Sequence, residues 1–492
     1  WPTKQKLKCI HLETCTAISM ASSLLGSDFS DDKKVTASNE NPIIPPPTSS
    51  PSSSEDYATE FSILEEKSSI TRTGTTWTAV AHIISGVIGT GVLSLAWSVA
   101  QLGWIAGPCI ICAFAAVSLF SAVLLCDCFK YPDPRHGPNR IGSYMEAVRI
   151  YKGNWDYTIC GMFLHENYFG VGVAYIITSA NSISAILKSN ANCTYEFSSS
   201  MLLFGGLQII VSQISNFHHM GWLSWLATLM SFSYSSIGIG LGISKIVENG
   251  KIQGSITGIS YISGTEKLWL IFEAFGDIAF AFSFAVILLQ IQDTLKSPPP
   301  ESDNMKKASS ISISVMAFFY VLCGCSGYAA FGNETPGNLL SGFNESYWII
   351  DFANACIVLH LVGGYQIYTQ PMFASVEDWA RRRFPDSQFV NKFHRNKVNL
   401  FRLVFRTGYV ILTTAVAMIF PYFNQVVGFL GAINFWPLTI YYPVEMYSAQ
   451  KRLRVWSGEW IALKLFSCLF GCGCGWSGRV RTRADSGETK WW

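Results

Sequence analysis

Long apolar segments separated by short charged loops are the feature that most constrains this chain. Nearly uninterrupted apolar runs cover 201–215, 311–331 and 409–420, a pattern typical of membrane-spanning helices. Charged types make up only 14% of the 492 residues and hydrophobic types 49%, whereas an ordinary soluble domain is about 25% charged. The sequence therefore predicts an all-α, polytopic protein embedded in the lipid bilayer.

Ten apolar segments are each long enough for a helix of about 20 residues, the length that crosses a bilayer. They are 76–98, 102–126, 156–187, 199–216, 222–246, 267–291, 308–331, 347–374, 403–420 and 424–446. An eleventh, 460–475, carries Lys464 and has only about three-quarters of that length. We therefore expect at most a partial last helix there.

The chain divides into three regions by composition. Residues 1–70 are polar and rich in Ser and Pro, so they lack the apolar area that would offset the entropy of ordering. We expect a disordered cytoplasmic tail at 1–70, a ten-helix core at 71–459 and an atypical C-terminal segment at 460–492. No stretch near the start has the apolar core of a cleavable signal peptide.

Positive charges are distributed unequally between alternate loops. If the N-terminus is cytoplasmic, most Lys and Arg residues, including the run at 381–383, fall in inside loops, as the positive-inside rule requires. The outside loops then hold only Lys188, Lys245, Lys251 and Lys267. Three N-glycosylation sequons also fall outside, at Asn192, Asn333 and Asn344. Both patterns predict a cytoplasmic N-terminus and glycosylation at these positions.

Several classes of function lack support in the sequence. The net charge is +2 without a basic stripe, which argues against nucleic-acid binding. Pairs such as Cys126 and Cys128 have C-x-C spacing, which is wrong for ordinary zinc sites. No Ser-His-Asp constellation is present. We expect neither an enzyme nor a metal or cofactor site, and we see no obligate protein partner.

The first apolar segment contains a cluster of Gly residues at its middle. Gly86, Gly89 and Gly91 alternate there with the polar residues Ser85 and Thr90. One interpretation is close packing of small residues against another helix. The other is an unwound midpoint, whose free N–H groups bind a carboxylate and whose free C=O groups bind a cation or an ammonium group.

The sixth segment carries the second candidate interruption, Gly276-Asp277, which we expect to break an aromatic helix near its middle. A carboxylate at this depth costs at least about 2.5–3.5 kcal/mol to insert, so it is a functional-site hypothesis by default. The alternative is an Asp bonded to a neighbouring helix. Interruptions in the first and sixth of ten spans are the positions expected of an inverted repeat of five plus five helices.

Other polar residues lie within the predicted spans. Asn167 is in the third segment, and Asn354 and His360 are in the eighth. A buried neutral side chain is the simplest interpretation of His360, but His also relays protons. We take Asp277 as the first candidate for a proton-coupling residue and His360 as the second.

Several long motifs resemble the plant amino acid permeases of the amino acid/auxin permease family. They cover 72–97, 230–236, 276–280, 292–299, 322–332 and 435–439, in the order found in that family. The similarity extends from about residue 70 to residue 460. It implies a fold like that of the bacterial leucine transporter, and import of amino acids coupled to protons by alternating access, with the plasma membrane as the expected location.

The resemblance also implies where the amino acid substrate binds. The first-span motif would hold its amino and carboxyl groups, and parts of the third, sixth and eighth spans would complete the site. The implied substrate-binding residues are Ser85, Gly86, Ile88, Gly89, Thr90, Gly91, Asn167, Tyr175, Gly276, Phe280 and Asn354. Protons would be the coupling ion, and no other cofactor is implied.

Two alternatives to an amino acid importer stay open at this point. One is a carrier of auxin or another small organic ion on the same fold, which substrate competition would separate. The other is an amino acid sensor that binds its ligand without transporting it, for which the long N-terminal tail is the only support in the sequence.

Overall fold

The computed structural model describes residues 72–190, 197–214, 221–259, 264–343, 348–385, 387, 389–390 and 399–484. The predicted tail at 1–70 and two of the sequon residues, Asn192 and Asn344, lie outside the described residues.

The described chain is largely helical. The first half contains α1 (Thr76–Val87), α2 (Gly91–Asp127), β1 (Lys130–Tyr131), β2 (Asn139–Arg140), α3 (Tyr144–Lys152), α4 (Asn154–Asn190), α5 (Phe197–Val211), α6 (Gly221–Asn249) and α7 (Gly264–Ala281). The second half contains α8 (Ala285–Asp293), α9 (Glu301–Phe331), 3-10 turns at Gly332–Glu334 and Leu339–Gly342, α10 (Trp348–Arg383), α11 (Leu400–Ile419), α12 (Phe423–Asn434), a π-helix (Phe435–Tyr441), α13 (Tyr442–Gln450) and α14 (Gly458–Ala484). The strands β1 and β2 form a short antiparallel hairpin.

Each of the ten predicted spans is mainly helical over its described residues, which confirms the all-α, multi-pass class. Within the described residues, seven helical stretches are long and apolar enough to cross a membrane on their own. The difference from ten has a structural reason: the first span is broken and its second half runs into α2, the fourth (α5) is short, and the tenth is divided by the π-helix. The five-plus-five inverted repeat stays a prediction.

Of the two interpretations of the Gly cluster in the first span, the unwound midpoint is seen in the structure. α1 ends at Val87, Ile88 takes the non-helical angles φ −74° and ψ 72°, and the helix restarts at Gly91. The boundary between the first and second spans is a kink at Gly103, whose φ of 85° lies in the left-handed region that favours Gly. The loop carbonyl of Ile256 fills the space that a Cβ at Gly103 would need.

The break predicted at Gly276-Asp277 is wrong in position. α7 is continuous through both residues and ends at Ala281, and α8 begins at Ala285, so the interruption lies at 282–284. The missing Cβ at Gly276 serves packing instead, because a Cβ there would collide with the backbone oxygen of Gly428 on α12. The interruption itself is still in the sixth span, as predicted.

The C-terminal segment forms a helix, α14, that packs against the tenth span. The indole Nε1 of Trp436 donates to the carbonyl of Ser467 at 2.8 Å. Lys464, the residue that weakened the prediction of a span, forms an ion pair with Glu445. The helix tolerates Lys464 because Glu445 of a neighbouring helix pairs with its charge. The length of the apolar segment alone does not reveal this pairing.

Candidate functional site

A narrow cavity lies where the two broken spans meet α4 and α10. Its lining is uncharged and comes from both breaks and from the helices beside them: Gly86, Val87, Thr90, Asn167, Val171, Tyr175, Phe280, Ser283 and Tyr368. The breaks leave backbone groups without helical partners next to this space. The arrangement suits a small polar ligand whose recognition depends on backbone groups.

Hydroxyl groups from α6 hold the carbonyls of the unwound segment at 88–90. Tyr234 donates to the carbonyl oxygens of Ile88 and Gly89 at 2.8 and 2.9 Å. Ser231 also approaches the Ile88 oxygen, at 3.1 Å. These contacts replace the bonds that an intact helix would supply, and satisfying buried carbonyls in this way is what membrane depth requires.

A single tyrosine on α9 contacts both broken spans. The Tyr320 hydroxyl lies 2.9 Å from the carbonyl of Val87 and 3.2 Å from that of Ala281. Its ring packs edge-on against Phe282 in the second break. Tyr320 therefore positions the two interruptions relative to each other beside the cavity.

Two buried polar atoms of the cavity lining have no hydrogen-bond partner among the described residues. They are Oγ1 of Thr90, in the first break, and Oδ1 of Asn167, on α4. The N–H groups of Gly91 and Val92 open the restarted helix, so they have no acceptor within it. An unsatisfied buried polar atom costs about 1–3 kcal/mol, so these groups favour a ligand that bonds to them.

Asp277 is fully buried and does not line the cavity. Its Oδ2 lies 3.4 Å from the Ser98 hydroxyl on α2, and its Oδ1 has no hydrogen-bond partner within the described chain. One turn later on α7, Phe280 does line the cavity. One oxygen of Asp277 therefore contacts a neighbouring helix, as the alternative interpretation expects. The other oxygen does not.

His360 is also fully buried and touches the residues that hold the first break. Its Nδ1 is 2.9 Å from both the Ser231 hydroxyl and the carbonyl of Ala227. Because a carbonyl only accepts, Nδ1 carries the proton in this arrangement, which leaves Nε2 as a bare acceptor. In the described structure Nε2 is a buried acceptor without a hydrogen-bond partner.

The structure brings together part of the predicted substrate site. Of the predicted residues, five line the cavity: Gly86, Thr90, Asn167, Tyr175 and Phe280. Six lie outside its lining: Ser85, Ile88, Gly89, Gly91, Gly276 and Asn354. Asn354 donates to the Ile350 carbonyl of its own helix at 3.0 Å, and Ser85 likewise contacts the His82 carbonyl at 3.1 Å.

Four lining residues were not assigned individually from the sequence: Val87, Val171, Ser283 and Tyr368. Val171 falls within the stretch of α4 expected to line the site. Ser283 was missed because the second break was predicted at Gly276-Asp277, whereas it lies at 282–284. Tyr320 carried no signal in the sequence, because its role depends on which carbonyls its hydroxyl reaches in the fold. At the remaining described sequon, Asn333 lies half-buried in a 3-10 turn.

Broken spans that surround a polar cavity at membrane depth define the class of protein: a multi-pass membrane transporter. A family model described as transmembrane amino acid transporter protein matches residues 72–479. The chain belongs to this family. The family assignment from sequence motifs is thereby confirmed, and so is the expectation that the protein is not an enzyme.

Known plant proteins are similar over most of the chain. Probable amino acid permease 7 of Arabidopsis thaliana is 52% identical over 425 residues, which cover 82% of this chain and 91% of that protein. Amino acid permease 3 of the same plant is 51% identical, covering 82% and 88%. Lysine histidine transporter-like 6 is 27% identical, covering 78% and 84%.

A solved structure supports the fold. The chain is similar to a Na⁺-coupled sialic acid symporter, in a substrate-bound outward-open state, with a TM-score of 0.50 and 12% identity. The match covers 75% of this chain and 78% of that one. It is consistent with the predicted leucine-transporter-like fold and carries no information about substrate.

Proposed function

We propose that this protein imports amino acids together with protons, by alternating access, across the plasma membrane and with its N-terminus in the cytoplasm. The observation that carries the proposal is the pair of unpartnered polar atoms, Thr90 Oγ1 and Asn167 Oδ1, in a cavity beside a broken span. The permease names of relatives near 50% identity support amino acids as the substrates.

The substrate's two charged groups would divide between opposite kinds of backbone group. The N–H groups of Gly91 and Val92, with the Thr90 hydroxyl, suit the carboxylate, because a helix N-terminus favours an anion. The ammonium group would donate to Oδ1 of Asn167 and to the carbonyl of Gly86, whose only hydroxyl contact among the described residues, from Tyr175, is long at 3.4 Å. The rings of Phe280 and Tyr368 would face the substrate's side chain.

The proton would bind to a buried group next to this site. Asp277 is the first candidate, since one of its oxygens is unpartnered at membrane depth and Phe280 follows one turn later. His360 is the second, through its bare Nε2. Binding of proton and substrate to the same closed arrangement would let both be released together when the site opens to the cytoplasm.

Uptake of a labelled neutral amino acid tests this proposal. The full chain would be expressed in cells that lack their own amino acid uptake, and accumulation measured at external pH 5 and pH 7.5 with and without a protonophore. We expect accumulation above the external concentration, faster at pH 5 and abolished by the protonophore. Binding without accumulation would instead indicate a sensor, and competition by auxin would indicate a carrier of organic ions.

The proton-site assignment has its own test in the same assay. Asp277→Asn keeps the size of the side chain and removes the ionisable group. We expect uptake per surface molecule to fall at least about tenfold, which corresponds to about 1.4 kcal/mol. We also expect the residual uptake to lose its preference for pH 5, because the ionisable group is gone. Unchanged rate and pH dependence would exclude Asp277 and leave His360 as the candidate.

A further inference from the structure

Glu166 is an acidic residue at membrane depth that has no role in the proton-coupled import proposed above. It lies in α4, about 18 Å from the start of that helix at a rise of 1.5 Å per residue. Its side chain is half-buried, while the next residue, Asn167, lines the cavity. Neighbouring residues point about 100° apart around a helix, so Glu166 faces away from the substrate and towards α12.

One neutral side chain on α12 meets this carboxyl group. Nδ2 of Asn434 donates to Oε2 of Glu166 at 2.5 Å. Asn434 is 1% exposed, and its Oδ1 has no hydrogen-bond partner in the described part of the chain. The amide thus presents its donor to Glu166 and leaves its acceptor unused.

This pair can serve both protonation states of Glu166. An ionised carboxylate only accepts hydrogen bonds, so it takes the Asn434 N–H, whereas a protonated carboxyl group also offers an O–H donor. Turning the Asn434 amide by half a rotation presents Oδ1 to that O–H. The unused acceptor is therefore what the protonated state requires.

Few other charged or titratable groups face Glu166. No ion pair to it occurs among the described residues. α12 and α5 carry no acidic, basic or Tyr residue. His165, beside Glu166 on α4, has Nδ1 2.5 Å from the Gly161 carbonyl, and Tyr409 of α11 packs on Phe169.

Three groups on other neighbours of α4 are engaged elsewhere. Tyr365 of α10 bonds to Thr413 at 3.0 Å. Lys152 of α3 pairs with Glu445 at 3.0 Å, and Tyr441 of the π-helix packs on Trp436. Among the residues that the structure describes, no cation is paired with Glu166, so its charge can change without breaking a salt bridge there.

α12 connects this pair to the cavity. Gly431, one turn before Asn434, touches the backbone of α7 so closely that a Cβ on it would lie 2.7 Å from the Phe280 nitrogen and collide with the Gly276 carbonyl. Phe280 lines the cavity. Because no side chain lies between the two backbones to absorb a movement, a shift of α12 at Asn434 moves the cavity wall.

We propose that Glu166 takes up a proton from the outer solution during the transport cycle, and that Asn434 passes its protonation state through α12 to the cavity wall at Phe280. The proton binds to a carboxylate oxygen and leaves from it on the cytoplasmic side, so nothing else is consumed. This inference rests on the proposed proton-coupled import and adds a second acidic group to it.

Uptake per surface molecule between external pH 5 and pH 8 tests the inference. Glu166→Gln is neutral at every pH and keeps an oxygen that accepts from Asn434. We expect uptake at pH 5 within about threefold of the wild type, while the ratio of uptake at pH 5 to that at pH 7.5 falls to less than half, because the group no longer titrates.

Asn434→Ala gives a second measurement with a different signature. The ionised carboxylate loses its donor in this variant, which disfavours the charged form. We therefore expect the midpoint of the pH profile to move about half a unit towards higher pH. Glu248→Gln is the matched control: Glu248 is an exposed acid on α6 that pairs with Lys245, and its loss should leave the profile unchanged.

The outcomes separate this inference from the proposed function. A wild type that shows neither pH dependence nor protonophore sensitivity refutes proton-coupled import itself. A pH-dependent wild type with unchanged profiles in both variants refutes only the role of Glu166. If neither variant reaches the cell surface, the pair serves folding, and the inference is likewise overturned.

Discussion

At the scale of single residues, the unwound segment depends on hydroxyl groups supplied by other helices. Tyr234 bonds two consecutive carbonyls, and Tyr320 bonds one carbonyl on each side of the cavity. Water would satisfy these groups at a surface, but at membrane depth only protein groups are at hand. The shape of the binding segment is thus maintained by side chains that do not line the cavity.

Removing the Tyr234 hydroxyl should weaken substrate binding. In Tyr234→Phe the Gly89 carbonyl loses its side-chain donor, at a cost of about 1–3 kcal/mol for a buried unsatisfied group. We expect the KM for uptake to rise about five- to tenfold or more, with surface expression little changed. Tyr365→Phe removes an equally buried hydroxyl that bonds to Thr413 and serves as the control; equal KM values for both variants would contradict the proposed role.

Some of the substrate-binding positions predicted from sequence line the cavity, and others do not. Thr90 and Asn167 were identified because polar groups in an apolar run need a reason, and both line the cavity. Gly276 and Asn354 were placed at the site by resemblance, yet each is engaged elsewhere. A sequence shows that a Gly permits close approach and does not show what approaches it.

At the scale of elements, α7 and α12 pack through their backbones. A Cβ at Gly276 would collide with the Gly428 carbonyl, and one at Gly431 with the Gly276 carbonyl. Such small-residue contacts replace hydrophobic burial as the source of helix association in lipid. The same contact places α12 against Phe280, which lines the cavity. A change in the packing of α12 on α7 therefore changes the cavity wall.

Gly276→Ala should force α7 and α12 apart. Overpacking of this kind costs about 1–3 kcal/mol, and here the obstructing atom is backbone, which cannot rotate away. We expect a lower melting temperature of the purified protein and reduced uptake. Gly240→Ala is the matched control, because Gly240 on α6 has open space around it and Ala is the better helix former by about 1 kcal/mol; a destabilised control would count against this explanation.

At the scale of the whole molecule, a buried polar network connects α5, α10 and α11. Arg406 is 2% exposed and bonds to Glu377 at 2.7 Å and to the Ser212 carbonyl at 2.6 Å. A chain of amides continues it, since Gln366 bonds to Gln208 at 2.7 Å. The network fixes three spans to one another at the end that the charge distribution predicts to be cytoplasmic.

Breaking this network should destabilise the whole helix bundle. Arg406→Gln leaves the Ser212 carbonyl and one Glu377 oxygen without their donor, while the Ile214 carbonyl keeps a bond from Gln370. Removing one partner of a buried ion pair costs about 3–5 kcal/mol. We expect a clear drop in melting temperature and in the amount of protein at the surface. Arg381→Gln removes an exposed pair with Asp378, worth at most about 1 kcal/mol; comparable losses in both variants would show that burial is not the cause.

The sequence by itself determined the class of this protein, because apolar length and scarcity of charge leave a chain few options other than helices in lipid. It also indicated an interruption in the first span, because Gly and polar residues cluster at its middle, and one in the sixth span, although at Gly276-Asp277 and not at 282–284, where the structure has it. Only the tertiary structure decided where the second break falls, which tyrosines hold the first one and that Glu166 meets Asn434. Those features depend on contacts between residues far apart in the chain. The type of a residue and its spacing from its neighbours in sequence do not show which distant residue it contacts.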